Sequence, residues 1–304
     1  MTTFHQPSEL APFQDEPGQL PSGVVGKNAF LRLGFERRGE RTILGHLERR
    51  APLLVQQALY WDEALPELPC VFIITTTGCI LQGDRFNIEI DLAPDTRAHV
   101  TTQAATKIHS MDANYAAQTQ NIVLGENAYL EYLPDPVIPH AHARFLTTTH
   151  INMHPGATLL YSEIMMGGRK YHGGGELFQY DVYSSTVRAQ RPDGTELFTE
   201  KVVIEPHVYN VRQVGVMGKF DVFANVLLLA PKHHADKVFD QVPAVVNMEE
   251  QWAAGASRLP NDAGLVFKVL GQESEPVQAK VREFWSLVRQ TVTGAPVLPK
   301  FVWR

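Results

Sequence analysis

Short segments in which apolar and polar residues alternate, each closed by Gly, Pro, Asn or Asp, constrain this chain more than any other feature. Ala29 to Leu33, Arg85 to Ile90 and Lys201 to Glu205 carry the pattern. A period of two buries one face of each segment, which reads as strands. A weak repeat organises them: an apolar segment end, a short turn, then Ala-x-apolar. Its copies run from Ile90 to Val100, from Ile122 to Leu130 and from Ile151 to Leu159, so that Ala98, Ala128 and Ala157 fall about thirty residues apart. A hairpin-sized unit with one buried face cannot stand alone, and this spacing predicts stacked β layers, an open β-helix or solenoid.

Helical periodicity is confined to the C-terminal third. Ala235, Val238, Phe239, Val242, Val245, Val246 and Trp252 recur at three and four, with Pro243 as a point of interruption, and predict a helix near 232–254. Pro276 opens a second stripe, Val277, Val281, Phe284, Trp285, Val288 and Val292, that stops at Gly294, a helix near 276–293. Trp252 and Trp285 read as core residues. The fold class is therefore mainly β, with stacked layers and two C-terminal α-helices. Residues 1–22 hold four prolines and no hydrophobic period, and read as a mobile N-terminal tail before a single domain over 23–304.

With 33 acidic against 27 basic side chains and no Lys/Arg run longer than two, the chain lacks the basic face that a nucleic-acid partner requires, and fits an anionic membrane poorly. The apolar run around Val226 to Ala230 is too short to span a bilayer, and no basic-then-apolar leader opens the sequence, so a cytoplasmic location is expected. Cys70 and Cys79 fit neither a disulfide framework nor a metal clip and read as buried, inert thiols.

The chain contains no GxSxG elbow, P-loop, HExxH, or GxGxxG between a strand and a helix. The triple glycine Gly173 to Gly175 reads as a tight bend beside a strand. Histidines cluster at His140, His142, His150, His154 and His172. On a strand, His140 and His142 would share a face and could share a cation; in a Pro-bounded loop they would be two surface histidines. Asp84, Glu131, Asp135, Glu163 and Glu176 stand in strand-like or glycine-flanked settings, where a carboxylate commonly caps a turn. Glu163 and Glu176 flank Gly167-Gly168-Arg169 and, brought together, could hold a dication weakly.

Three ordered runs then carry a resemblance: Gly78-Cys79-Ile80-Leu81-Gln82-Gly83-Asp84, Thr101-Thr102-Gln103-Ala104-Ala105-Thr106-Lys107-Ile108, and Leu130-Glu131-Tyr132-Leu133-Pro134 with Ile138. With Gly168-Arg169, Gly175-Glu176 and the C-terminal Pro296-Val297-Leu298-Pro299 and Trp303, the chain from about Lys27 onward resembles the urease accessory protein family UreD, also called UreH. The resemblance implies a β-rich, helix-capped scaffold without bond chemistry of its own. It implies docking on apo-urease with UreF and, through UreF, the nickel-carrying GTPase UreG. Nickel is expected to pass through an internal tunnel toward the urease site, with no tightly bound cofactor and only transient Ni²⁺. Glu163 and Glu176 are then candidates on the nickel path, and His140, His142 and His172 secondary ones. Cys79 and Gln82 stand where the family commonly has glycine, and Lys300 where it has arginine; Cys79 at a tunnel mouth would add a soft ligand. Two readings compete: a β-rich metalloenzyme that activates water with His140, His142 and a carboxylate, and a plain binding module with an exposed apolar docking surface.

Overall fold

In the computed structural model, which describes residues 7–15 and 27–298, the chain passes back and forth between two sheets and lays each new strand parallel to the one a coil earlier. One sheet stacks Arg85–Leu92, Ala116–Leu124, Arg144–Met153 and Val182–Gln190 in that order. The other stacks Cys70–Thr75, Arg97–Thr102, Tyr129–Tyr132 and Thr158–Met166. A short third face pairs Thr106–Ile108 with Val137–Pro139. Asn28–Arg38 joins the first sheet in parallel, and Arg41–Arg50 and Glu196–Ile204 close its edges antiparallel. The second sheet continues from Thr158–Met166 through antiparallel Val222–Leu229, Gly264–Gly271, Trp252–Arg258 and Val245–Asn247. Helices α1 (Lys232–Phe239) and α2 (Ser274–Thr293) complete a fold that is mainly β, with stacked layers and no closed barrel.

The thirty-residue repeat corresponds to these coils, although its first copy is out of step. Leu130 pairs with Ala98 on one side and Leu159 on the other, while the amide of Thr158 bonds the carbonyl of Ala128. Ala128 and Ala157 therefore sit one pair before that rung, and Ala98 on it. A slip of two residues keeps the same faces inward, and all three alanines remain buried.

Two cores lie on opposite faces of the second sheet. Along Val222–Leu229, Leu227 and Leu229 enter the core between the sheets, while Val226 and Leu228 enter the one beneath the helices. Double-sided burial accounts for the unbroken apolar run of this strand. The α2 stripe packs there as expected, with Phe284 stacked on Phe267 at 4.5 Å between ring centroids, and Gly294 ends the helix in the left-handed region at φ 77°. Trp285 and Trp252 are both buried.

The first helix is shorter than its periodicity predicts. It ends at Phe239, and Val245–Asn247 and Trp252–Arg258 form a hairpin instead. Pro243 cannot donate to a helix and blocks the preceding turn, and the carboxamide of Asn247 accepts the amides of Glu249 and Glu250, which sets the hairpin turn. Part of the segment expected to be a mobile tail is docked. Leu10 is buried, and Glu9 accepts hydrogen bonds from Ser184 at 2.7 Å and Lys201 at 2.8 Å. The rest of that segment, 1–6 and 16–22, lies outside the described residues, as do Pro299, Lys300 and Trp303.

Candidate functional site

The inward side chains of the coils meet in the middle of the first core, and several of them are polar. Tyr132 donates to Gln120 Oε1 at 2.5 Å, and Gln120 Nε2 donates to Thr149 at 2.8 Å and Tyr161 at 3.3 Å. Tyr161 donates to Glu163 Oε1 at 2.8 Å, and Ser185 donates to Glu163 Oε2 at 2.8 Å. By the strand period, Glu163 faces inward with Tyr161 and Met165, opposite to Leu160 and Ile164 on the helix side. Burial pushes the Glu163 carboxyl above the usual range, the Tyr161 and Ser185 hydroxyls restrain that rise, and the charge of Glu200 adds to it.

Glu163 lines two cavities. The larger, of about 50 Å³, runs past Gln120, Tyr132 and Thr147 to Thr102 and Asp135. The smaller, of about 10 Å³, adjoins Ser185 and Asn225. About 10–15 Å³ accommodates one water, so these spaces admit water and bare or partly hydrated ions but no organic substrate. The hydroxyl of Thr147 and the Oδ1 of Asn225 are buried without a hydrogen-bond partner among the described residues. Leaving such an atom unmatched costs about 1–3 kcal/mol, so both mark an interior suited to a polar guest. Asn225 Nδ2 donates to Glu200 at 2.8 Å, and Glu200 in turn pairs with Lys268 near the surface.

The two carboxylates singled out in the sequence are not brought together. Glu176 lies on the small hairpin Gly168–Arg169 with Glu176–Leu177, and both its oxygens accept from Arg169, at 2.7 and 2.5 Å. That contact holds its carboxyl below the ordinary range. In the pair of this hairpin farther from its turn stands Gly168, whose φ is +136° and whose added Cβ would sit 1.9 Å from the Glu176 carbonyl oxygen. Gly168→Ala is accordingly expected to open it and destabilise the fold by about 1–3 kcal/mol, the scale of forced backbone strain; a thermal melt reads the loss.

His140 and His142 also part company. The strand that would hold them on one face ends at Pro139, and His142 takes φ 60°, which breaks the alternation. His140 turns inward beside His109, with ring centroids 5.5 Å apart. Burial, with Arg169 and His109, pushes its pKa down to about 4, so it is neutral at pH 7. His142 turns outward to Asp181, and His172 is exposed on the turn after Arg169. The shared cation site of the metalloenzyme reading is thus not formed by this pair.

The motif residues mostly build turns and coils. Gly78 and Gly83 adopt φ of +73° and +76° in the turn before Arg85, and Asp84 accepts the amides of Lys27 and Leu81 at 2.9 Å each. Thr102 accepts the Asp135 amide at 2.8 Å; Leu133 is buried and Lys107 exposed. Cys79 is half-buried rather than buried, and is not among the residues lining either cavity. Cys70 is fully buried, and its thiol is pushed up to about 12 by that burial.

Sequence reasoning missed one buried cluster. Arg289 is 0% exposed and reaches from α2 to Glu131, at 2.7 and 2.6 Å, and to Asp62. Glu131 also receives Tyr129 at 2.7 Å and touches His99 at 2.8 Å. Its signal was available: Arg289 follows Val277, Val281 and Trp285 at intervals of four, a charge inside an apolar stripe.

Among the described residues no helix is long and apolar enough to cross a membrane. A family model described as UreD urease accessory protein matches residues 27–304. The chain is 62% identical over 295 residues to the urease accessory protein UreD 2 of Brucella suis, covering 97% of this chain and 98% of that protein. It is 55% identical to the urease accessory protein UreD of Photorhabdus laumondii and 54% to that of Yersinia pseudotuberculosis, in each case over 97% of this chain and 92% of the relative.

Proposed function

Because the chain belongs to the UreD family of urease accessory proteins, we propose that it is a non-catalytic scaffold that docks on apo-urease with UreF and UreG and guides nickel through its interior during GTP-dependent insertion. The observation that carries this reading is the enclosed polar string from Thr102 and Asp135 past Thr147 and Gln120 to Glu163, Ser185 and Asn225, with its unmatched Thr147 and Asn225 oxygens. An ordinary β core is filled with apolar side chains; this one sets hydroxyls, amides and two carboxylates, Asp135 and Glu163, along its axis. Oxygen donors of this kind suit a hard or borderline dication and hold it weakly.

Each donor has its own task. Thr147, Gln120 and Ser185 replace part of the ion's hydration in spaces too small for a full water shell. Glu163 supplies the charge that offsets the cost of bringing a dication into a low-dielectric interior. Because burial raises its pKa, nickel competes with a proton at Glu163, which keeps binding exchangeable. Glu176, clamped by Arg169, shapes the hairpin next to His140 instead.

Thr147→Leu tests the path. An isobutyl group at this position fills the cavity with apolar atoms while leaving the outer surface unchanged. Co-expressed with urease and the other accessory proteins, the variant is expected to co-purify with them as the parent does, yet leave most urease unactivated. Full activation with intact assembly would remove the interior from the route.

A further inference from the structure

A second cluster of metal-ligating side chains lies outside the interior string, on the protein surface, and it was not visible in the sequence. His142 Nδ1 stands 3.3 Å from Asp181 Oδ1, and His207 Nε2 stands 3.8 Å from the same oxygen. The two imidazoles are near parallel, with centroids 6.4 Å apart and 22° between planes. One ligand atom from each of the three residues falls within 4.8 Å of the others. We propose that His142, Asp181 and His207 form a surface binding site for a first-row divalent transition-metal ion, of the Zn²⁺, Ni²⁺ and Co²⁺ class.

The spacing fits one ion. Metal–nitrogen and metal–oxygen bonds near 2.0–2.2 Å place neighbouring donors on a single ion about 3–3.5 Å apart, and small rotations of two exposed rings bring this set into range. The rings are 67% and 53% exposed, whereas the Asp181 carboxylate is only 15% exposed, so the fixed member is the anion and the adjustable members are the imidazoles. A single His–Asp pair would be ordinary; two imidazoles converging on one carboxylate oxygen is a donor set. Two imidazoles and a carboxylate favour first-row transition metals over Mg²⁺ or Ca²⁺, and leave positions open for water or a further ligand.

The site is also held in place. The amide of His142 bonds the Gln179 carbonyl at 2.9 Å, and the amide of Asp181 bonds the Ala143 carbonyl at 3.0 Å, so the two crossing segments are stitched on either side of the cluster. Arg144 Nε occupies Asp181 Oδ2 at 2.7 Å and leaves Oδ1 turned toward the rings, the kind of outer contact that orients a ligand. The αL conformation of His142 aims its ring away from the His140 side and toward Asp181. His207 Nε2 rests 3.3 Å from the Gln179 carbonyl, a contact that a bound cation would replace.

This inference does not rest on the interior path, and the experiment separates the two. Co²⁺ titrated into the purified full chain is followed by visible d–d absorption and by equilibrium dialysis. The parent is expected to give a saturable band at one Co²⁺ per chain from this site, competed by Zn²⁺ and Ni²⁺. His142→Asn, which keeps a residue tolerant of positive φ, and His207→Ala, in an exposed loop, are each expected to weaken that component at least about tenfold, with thermal melts unchanged. Glu163→Gln is expected to retain it. A parent spectrum that the doubly substituted His142→Asn, His207→Ala chain reproduces would overturn the site, as would a parent that shows no band.

Discussion

Arg289→Met is expected to cost this protein about 3–5 kcal/mol, the scale seen when one partner of a buried ion cluster is removed. Arg289, Glu131 and Asp62 are all fully buried beneath α2. Burial alone would push the Glu131 carboxyl up, yet Arg289, aided by His99, holds it well below the ordinary range. Without the guanidinium, two carboxylates remain in a low-dielectric interior, and the Tyr129 hydroxyl and His99 ring at Glu131 and the Ala64 and Leu65 amides at Asp62 do not replace its charge. A typical domain has about 5–15 kcal/mol in total, so the variant is expected to unfold at much lower denaturant concentration or to accumulate as insoluble protein.

A second substitution keeps this interpretable. Adding Glu131→Gln and Asp62→Asn to Arg289→Met removes the stranded charges, and the triple variant is expected to recover a large part of the loss, because the damage comes from uncompensated charge more than from the lost attraction. The pH dependence follows from Glu131. Its folded pKa is depressed, so the stability it contributes is present above the ordinary carboxylate range of about 4.3 and is lost as pH falls toward the folded value. The gap between parent and Arg289→Met should therefore narrow on acidification. Equal denaturation midpoints for parent and single variant at neutral pH would show that the cluster contributes nothing.

The fold was legible where the physics is local. Strand alternation, the thirty-residue recurrence and the α2 stripe all reflect which face of a segment meets apolar neighbours, and that is written residue by residue. Three things were less legible. The helix expected to run to 254 stopped at Phe239 because Pro243 and the Asn247 turn outweighed an apolar period that also suited a buried hairpin. The pairing of His140 with His142 failed at one backbone angle, the positive φ of His142, which a strand pattern does not report. Partners of Glu163 and Arg289 come from distant parts of the chain: Ser185 lies 22 residues from Glu163, and Glu131 lies 158 from Arg289. Spacing along the sequence carries no trace of contacts closed by stacking coils or by a helix folding back on a sheet. His207, in the loop after Lys201 to Glu205, escaped notice for the same reason, since only the fold sets it beside Asp181.

Glu163→Gln is expected to move stability and function in opposite directions. Burial raises the folded pKa of Glu163, so the stability of its protonated form is fully present below the unfolded value, about 4.3, and is lost as pH rises through the folded value. At neutral pH the parent therefore bears the cost of an enclosed carboxylate. Gln has the same shape, keeps an oxygen to accept from Tyr161 or Ser185, and carries no charge. Its melting temperature should exceed that of the parent near pH 7.5, with the difference shrinking toward pH 4. Nickel-dependent activation should fall about tenfold or more, the scale at which loss of a metal-site partner acts, because a carboxamide cannot offset the charge of a dication in a low-dielectric passage. Glu163→Asp, which keeps the charge but withdraws it by one methylene, should retain an intermediate share of activation. A more stable Gln variant that still assembles with urease and activates it as the parent does would separate the interior carboxylate from nickel delivery altogether. A more stable but inactive one is what an enclosed anion kept for an ion, at the expense of the fold, requires.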